Sequence, residues 1–161
     1  MAVIALLLSV LAVAIDRITK ILAIQYIKPV GSKTVIGGLL YFNYQENQGA
    51  AFSLLNDYGF RWLFVAVTGV VCVFIVFALF RYENHEFFSY GACILILGGG
   101  ISNMIDRIAT GRVVDFIQLS FFPAIFNFGD CCVTVGTVFL VIHILLFAER
   151  KDRAEKVMRM K

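Results

Sequence analysis

The sequence predicts a membrane protein, mainly α-helical, with four spanning helices and a small β-sheet at one membrane surface. Three observations carry this. Hydrophobic residues make up 60% of the 161-residue chain, against about 45–50% in average soluble domains. The excess is gathered into four long apolar blocks, so lipid is the expected solvent. Between blocks lie short aromatic and β-branched runs beside glycine turn signals.

The first block begins at Ala2 and is unbroken to Ile15. It continues as a mixed pattern to Ile27, with Asp16, Arg17 and Lys20 embedded, and Lys28-Pro29 ends it. Ala12-Val13-Ala14 has the small-x-small form of a signal-peptide cleavage site. Against that reading, no basic region leads the block, and apolar residues resume at Ile18, Ile21, Leu22 and Ile24. The second block, Trp62–Phe80, carries no charge. The third runs from Phe87 to Ile105, closes on Asp106, and contains Gly98-Gly99-Gly100, where neighbouring helices can approach closely. Cys131–Ala148 is the fourth. At about 1.5 Å per residue, each can cross a hydrocarbon core of about 30 Å. The expected spans are 2–27, 62–80, 87–106 and 131–148, in a single domain over 1–161.

Net charge is only +3, but it is unevenly placed. The tail, 149–161, carries Arg150, Lys151, Arg153, Lys156, Arg159 and Lys161, and the positive-inside rule puts it in the cytoplasm. Four spans then place both termini and the Arg81–Glu86 link there. Residues 29–61 and 107–129 face outward. Lys28, Lys33 and Arg61 run mildly against this, although long loops obey the rule weakly. A nucleic-acid role for the tail lacks any soluble binding module, so no nucleic-acid partner is expected. In the outer segments, Leu39–Tyr44 after Gly37-Gly38, and Arg112–Ile117 after Thr110-Gly111, read as strands.

The four cysteines, Cys72, Cys93, Cys131 and Cys132, lie in or beside apolar blocks and form no CxxC pair. Adjacent cysteines rarely meet disulfide geometry, so all four read as small buried hydrophobes. His85 and His143 stand alone, without zinc-ligand spacing. No metal or other cofactor is expected.

Of the 11 acidic residues, Asp16, Asp106, Asp115 and Asp130 lie inside or at the edge of apolar blocks, all toward the outer ends. Carboxylates there are costly and are functional candidates by default. Asp16 has Lys20 one helical turn on. Asp106, Arg107 and Asn103 can share a polar patch on one helix. Two readings of these groups stay open: ion pairs that hold the bundle, or substrate contacts. Asp115 and Asp130 have apolar neighbours and no cation on their own face, although Arg112 is near Asp115 in sequence. Brought together, they cannot both ionise, and the pair holds one proton. One carboxylate can then deprotonate a water while the other protonates a leaving amine. That is aspartic-peptidase chemistry. The competing reading has each acid bonding a helix terminus, with Asp130 as N-cap of the fourth span. Asn47-Gln48-Gly49-Ala50-Ala51-Phe52 suits a backbone turn near a ligand, or an ordinary loop entering a short helix.

Three other functions compete. A small proton-coupled transporter also uses intramembrane acids, but here none lies midway through spans two or four. A non-enzymatic scaffold would use Gly98–Gly100 only for packing. A metal-dependent phosphoryl enzyme needs cation clamps that the sequence lacks.

In order along the chain, Asp16-Arg17-Ile18-Thr19-Lys20, Asn47–Phe52, Gly98–Arg107, Val113-Val114-Asp115-Phe116 and Phe126-Asn127-Phe128-Gly129-Asp130 resemble the motifs of the bacterial lipoprotein signal peptidase family, signal peptidase II. The resemblance covers nearly the whole chain. It implies four transmembrane helices with an extracytoplasmic β-cradle and a short outer helix. It implies a catalytic dyad of Asp115 and Asp130, supported by Asp16, Lys20, Asn47, Asn103, Asp106, Arg107 and Asn127. The implied substrate is a prolipoprotein whose cysteine already carries diacylglycerol, cut just before that cysteine, with membrane lipid around a monomeric enzyme in the bacterial inner membrane. A lid near Asn47–Leu55 would close over the site. Ser102 stands where the family often has Gly, Gly129 where it usually has Ala, and Cys131 where Ser or another small residue is common. All three stay small, and Gly129 leaves the backbone before Asp130 freer than Ala does.

Overall fold

A computed structural model describes residues 1–49, 58–82 and 85–159, with backbone alone for 58–60 and 148–159. Its elements, in chain order, are α1 (Ala2–Tyr26), β1 (Ser32–Ile36), β2 (Leu40–Asn47), α2 (Tyr58–Arg81), α3 (Phe87–Ala109), β3 (Val113–Leu119), β4 (Ile125–Phe126) and α4 (Phe128–Arg159). Among the described residues, four segments are long and apolar enough to span a membrane: Ala2–Tyr26, Arg61–Arg81, Phe87–Ala109 and Phe128–Phe147. Burial is reversed relative to a water-soluble fold. Leu7, Val10, Val70, Phe74 and Leu145 are exposed, while Asp16, Lys20 and Asn127 are among the most completely buried side chains. Apolar residues outside and polar residues inside mark a multi-pass membrane protein.

Helix α3 is the hub, packed against α1, α2 and α4. Its glycines make this possible. A Cβ at Gly98 would sit 2.5 Å from Cβ of Ala12 on α1, and one at Gly99 would sit 2.2 Å from the Gly129 carbonyl oxygen at the start of α4. Such approaches exclude any side chain. One apolar cluster, Ala5, Cys72, Ile75, Leu79 and Leu97, ties α1, α2 and α3 together. A second, Ala23, Ile27 and Phe116, seats the sheet on the end of α1.

The sheet is antiparallel throughout, in the order β1-β2-β3-β4. Strands β2 and β3 are the two expected from sequence, each slightly displaced. Gln45 pairs with Asp115 and Asn47 with Val113, and an irregularity separates Phe42 from Gln45. Gly111, at φ 78°, makes the turn from α3 into β3 in the left-handed region that glycine adopts freely. Strands β1 and β4 were not anticipated. β4 has only two residues, and β1 is exposed along its length. Two helices run beyond the expected spans. α2 starts at Tyr58 rather than Trp62, and α4 runs through the basic tail to Arg159 instead of ending at Ala148. The short outer helix and most of the lid expected near Asn47–Leu55 fall on residues 50–57, outside the described residues.

Replacing Gly99 with Ala drives a methyl into the Gly129 carbonyl, and overpacking of this kind costs about 1–3 kcal/mol. We expect G99A to unfold in detergent at a clearly lower temperature than wild type, and G100A, whose Cβ would meet only side-chain atoms at 3.4 Å or beyond, to change little. Equal midpoints for G99A and wild type would contradict the close helix approach.

Candidate active site

The site starts from a lysine on α1. Lys20 Nζ, 1% exposed, lies 2.6 Å from Asp16 Oδ2 and 2.8 Å from Asp106 Oδ2, and donates to Asn103 Oδ1 at 2.8 Å. The i,i+4 spacing within α1 supplies the Asp16 contact. The other two partners project from the last turns of α3. Arg17 adds a second cation on Asp106 Oδ1. Asp16 is used on both oxygens, accepting from Ser102 Oγ at 2.6 Å and from the Gly129 N–H at 2.7 Å. The last bond satisfies an amide that the first turn of α4 leaves without a helical partner.

Asn103 passes this order on. Its Nδ2 donates to Asp130 Oδ1 at 2.8 Å, while its Oδ1 also accepts from Asn127 Nδ2 at 3.2 Å. Asn127 precedes α4 and caps it: its Oδ1 accepts from the Asp130 N–H at 2.9 Å, and Asp130 Oδ2 accepts from the Asn127 N–H at 3.0 Å. This reciprocal pair has the form of a capping box. The terminus reading of Asp130 is thus partly right, with one change: Asn127 is the cap, and Asp130 answers it from the third helical position. Asn127 Nδ2 also donates to Asp115 Oδ1 at 2.6 Å. One residue therefore touches both Asp115 and Asp130. On the far side, Asn47 Nδ2 donates to Asp115 Oδ2 at 3.0 Å, and its Oδ1 accepts from the Gly49 N–H at 3.1 Å.

Asp115 is 2% exposed. Burial, followed by the negative charge of Asp130, pushes its carboxyl up to about 6, against the pull of the Asn47 and Asn127 bonds and of Lys20. A buried carboxyl beside a second carboxylate, held by two amides, is suited to keeping and releasing a proton.

All nine sequence-selected residues thus meet at one end of the bundle. Asp16, Lys20, Asn103, Asp106, Asn127, Asp115, Asp130 and Asn47 form one connected network. Arg107 differs from expectation. It does not pair with Asp106; its guanidinium lies 5.0 Å over the Phe64 ring and reaches the Asn103 carbonyl at 3.5 Å. Adjacent helical residues point apart, so the cations on Asp106 come from α1 instead. Arg112 also turns away from Asp115, to Glu46. Sequence reasoning missed Arg17 and Ser102 as partners. A hydroxyl just after the Gly98–Gly100 run and beside Asn103 was the available signal for Ser102.

The family model described as signal peptidase (SPase) II matches residues 8–146. The chain belongs to the signal peptidase II family. It is 38% identical over 136 residues to a lipoprotein signal peptidase of Caldanaerobacter subterraneus subsp. tengcongensis, covering 84% of this chain and 92% of that one. It is 39% identical over 153 residues to one from Symbiobacterium thermophilum, covering 92% and 98%. A solved structure described as a bacterial membrane enzyme, determined by the in meso method at 2.3 Å resolution, superposes with a TM-score of 0.78 at 29% identity, over 91% of this chain and 90% of that one. The family assignment therefore rests on sequence, and the fold is matched in shape as well.

Two outcomes check the network. Removing one partner of a buried ion cluster costs about 3–5 kcal/mol. Lys20→Met, which leaves Asp16 and Asp106 facing each other, should therefore unfold well below wild type in detergent, and an unchanged midpoint would mean the cluster is not desolvated. The second concerns pH. The folded protein holds the Asp115 proton more tightly than the unfolded chain, so Asp115 contributes stability that is complete below about pH 4 and lost as pH rises through about 6. Asp115→Asn should flatten that part of the stability–pH curve, whereas identical slopes would place its titration elsewhere.

Proposed function

We propose that this signal peptidase II family member removes signal peptides from diacylglyceryl-modified prolipoproteins, with Asp115 and Asp130 as its catalytic pair. The observation that carries this is the shared Asn127, which bonds Asp115 through its side chain and Asp130 through its backbone. Asp130 acts as base on the attacking water, and Asp115 holds the proton that passes to the leaving nitrogen. Asn47 and Asn127 aim Asp115, Asn103 aims Asp130, and the Asp16–Lys20–Asp106 cluster fixes Asn103. Arg107, half-buried and within electrostatic reach of both carboxylates, balances their negative charge.

The basic tail supports an orientation with both termini in the cytoplasm and the sheet at the outer face. There the site meets substrate at the membrane edge, without extracting its signal helix or acyl chains from lipid. An apolar groove of about 630 Å³ opens between the end of α1 and the sheet, lined by Leu22, Tyr26, Val35, Phe42 and Phe116, with Lys33 also in its wall. It offers the diacylglyceryl chains an apolar seat beside the strand that carries Asp115.

The test is a mobility-shift cleavage assay of a diacylglyceryl-modified precursor in detergent. Wild type should cleave it in the presence of EDTA. Asp115→Asn and Asp130→Asn should each lose at least about a hundredfold in rate. Full activity in either variant would mean that these carboxylates are not the pair. Because Asp115 must carry a proton, kcat/KM for wild type should fall on the alkaline side of about pH 6; a flat profile through that region would remove Asp115 from the acid role.

A further inference from the structure

The sheet divides two kinds of chemistry between its faces. Successive strand residues point to opposite sides. Asn47, with Asp115 across the ladder, faces the buried site. Its neighbour Glu46 faces the other way, where three segments converge on one carboxylate. Glu46 Oε1 accepts from Lys28 Nζ and from Tyr44 Oη, each at 2.8 Å, and Glu46 Oε2 accepts from Arg112 Nη1 at 2.8 Å. Lys28 comes from the link after α1, and Arg112 from the link between α3 and β3. The Lys28 ammonium also stands 5.1 Å over the Tyr44 ring. These bonds, those to Lys28 and Arg112 first, hold the Glu46 carboxyl down at about 2, so it is an anion at all physiological pH.

The clamp sits where β2 would otherwise drift. The β2–β3 register is irregular between Phe42 and Gln45, then resumes with Gln45, Glu46 and Asn47 opposite Asp115, Val114 and Val113. Only this restored stretch brings the Asn47 amide to Asp115. Apolar packing does little there: Gln45 is exposed and Glu46 half-buried.

We propose that Glu46 is a positioning residue for the peptidase reaction: by binding Lys28 and Arg112 on the outer face of the sheet, it fixes the end of β2 so that Asn47 holds the Asp115 carboxylate in register. This rests on the reading of Asp115 as part of the catalytic pair. Besides Asn47, the groups bearing on Asp115 are Asp130 and Asn127 at the start of α4, Lys20 from α1 and Arg107 from α3. None of them contacts Glu46, so the effect of Glu46 runs through Asn47. The Asn47 bond favours the ionised form of Asp115. Loosening it therefore raises the pH at which Asp115 loses its proton, while misaligning the carboxyl.

The experiment is a double-mutant cycle on precursor cleavage with Glu46→Gln, Asn47→Ala and the pair, with Asp115→Asn as reference. Glu46→Gln should keep its unfolding temperature, since partly exposed ion pairs add little stability. It should lose roughly threefold to tenfold in kcat with little change in KM, and move the alkaline limb of the profile upward. Asn47→Ala should move the limb in the same direction, and adding Glu46→Gln to it should cost nothing further. Glu46→Asp should recover part of the loss. Should Glu46→Gln fold poorly, Arg112→Gln and Lys28→Gln each remove one arm of the clamp and should give the same signature at smaller size. Wild-type kcat and an unmoved limb in folded Glu46→Gln would overturn the proposal, as would a loss that is fully additive with Asn47→Ala. Retained cleavage by Asp115→Asn would instead overturn the dyad reading, whatever Glu46 does.

Discussion

The structure depends on an ammonium group sealed inside a membrane-embedded bundle. Lys20 is only 1% exposed, and an uncompensated charge at that depth is prohibitive. Asp16, Asp106 and the Asn103 carbonyl oxygen must therefore come to it. Meeting that demand joins α1 to α3, and the second oxygen of Asp16 joins both to the first turn of α4. Apolar contacts between helices and lipid-facing contacts are close to equivalent in hydrocarbon, so specificity has to come from groups that tolerate only one arrangement. Here the charged cluster and the glycine contacts of α3 supply it together. The glycines allow the helices to approach, and the charges decide at what height.

Order then passes outward through amides. Asn103 and Asn127 each use both ends of the side chain, so neither can turn without breaking several bonds at once. This is how a rigid bundle positions two carboxylates that come from different elements, one on a strand and one on a helix. The capping of α4 and the holding of Asp130 are the same pair of bonds. A residue that looks structural from its place in the helix and one that looks chemical from its surroundings are here one residue. On the proposed dyad, fixed amide partners also mean that little reorganisation is needed when charge moves between the carboxylates.

Much of this could be read from the chain. Long uncharged runs admit few folds in lipid, and four acids at the edges of such runs pointed to one polar region. Asp115 and Asp130 stood out because neither had a cation on its own face. What could not be read was which distant groups would meet. Arg107 follows Asp106 directly, yet the helix turns it toward Phe64, and Arg17 reaches Asp106 from another helix. Strand β4 is too short for any periodicity, and β1 has no buried face to produce one. Nothing local marks Glu46, because its partners Lys28 and Arg112 lie on segments far away in sequence.

The division of the pair between β3 and α4 bears on how such an enzyme is made. A peptidase synthesised into the same bilayer as its substrates passes through a period when its helices are inserted but not yet assembled. During that period Asp115 lies on an undocked strand, and Asp130 sits in the first turn of a helix with no α3 beside it. Neither carboxylate has the other beside it, Asp130 lacks the Asn103 amide, and Asp115 lacks those of Asn47 and Asn127. On the proposed dyad, the nascent chain is chemically silent toward other membrane segments until the last helix is seated, and assembly itself performs the safeguarding that many proteases delegate to a removable pro-segment.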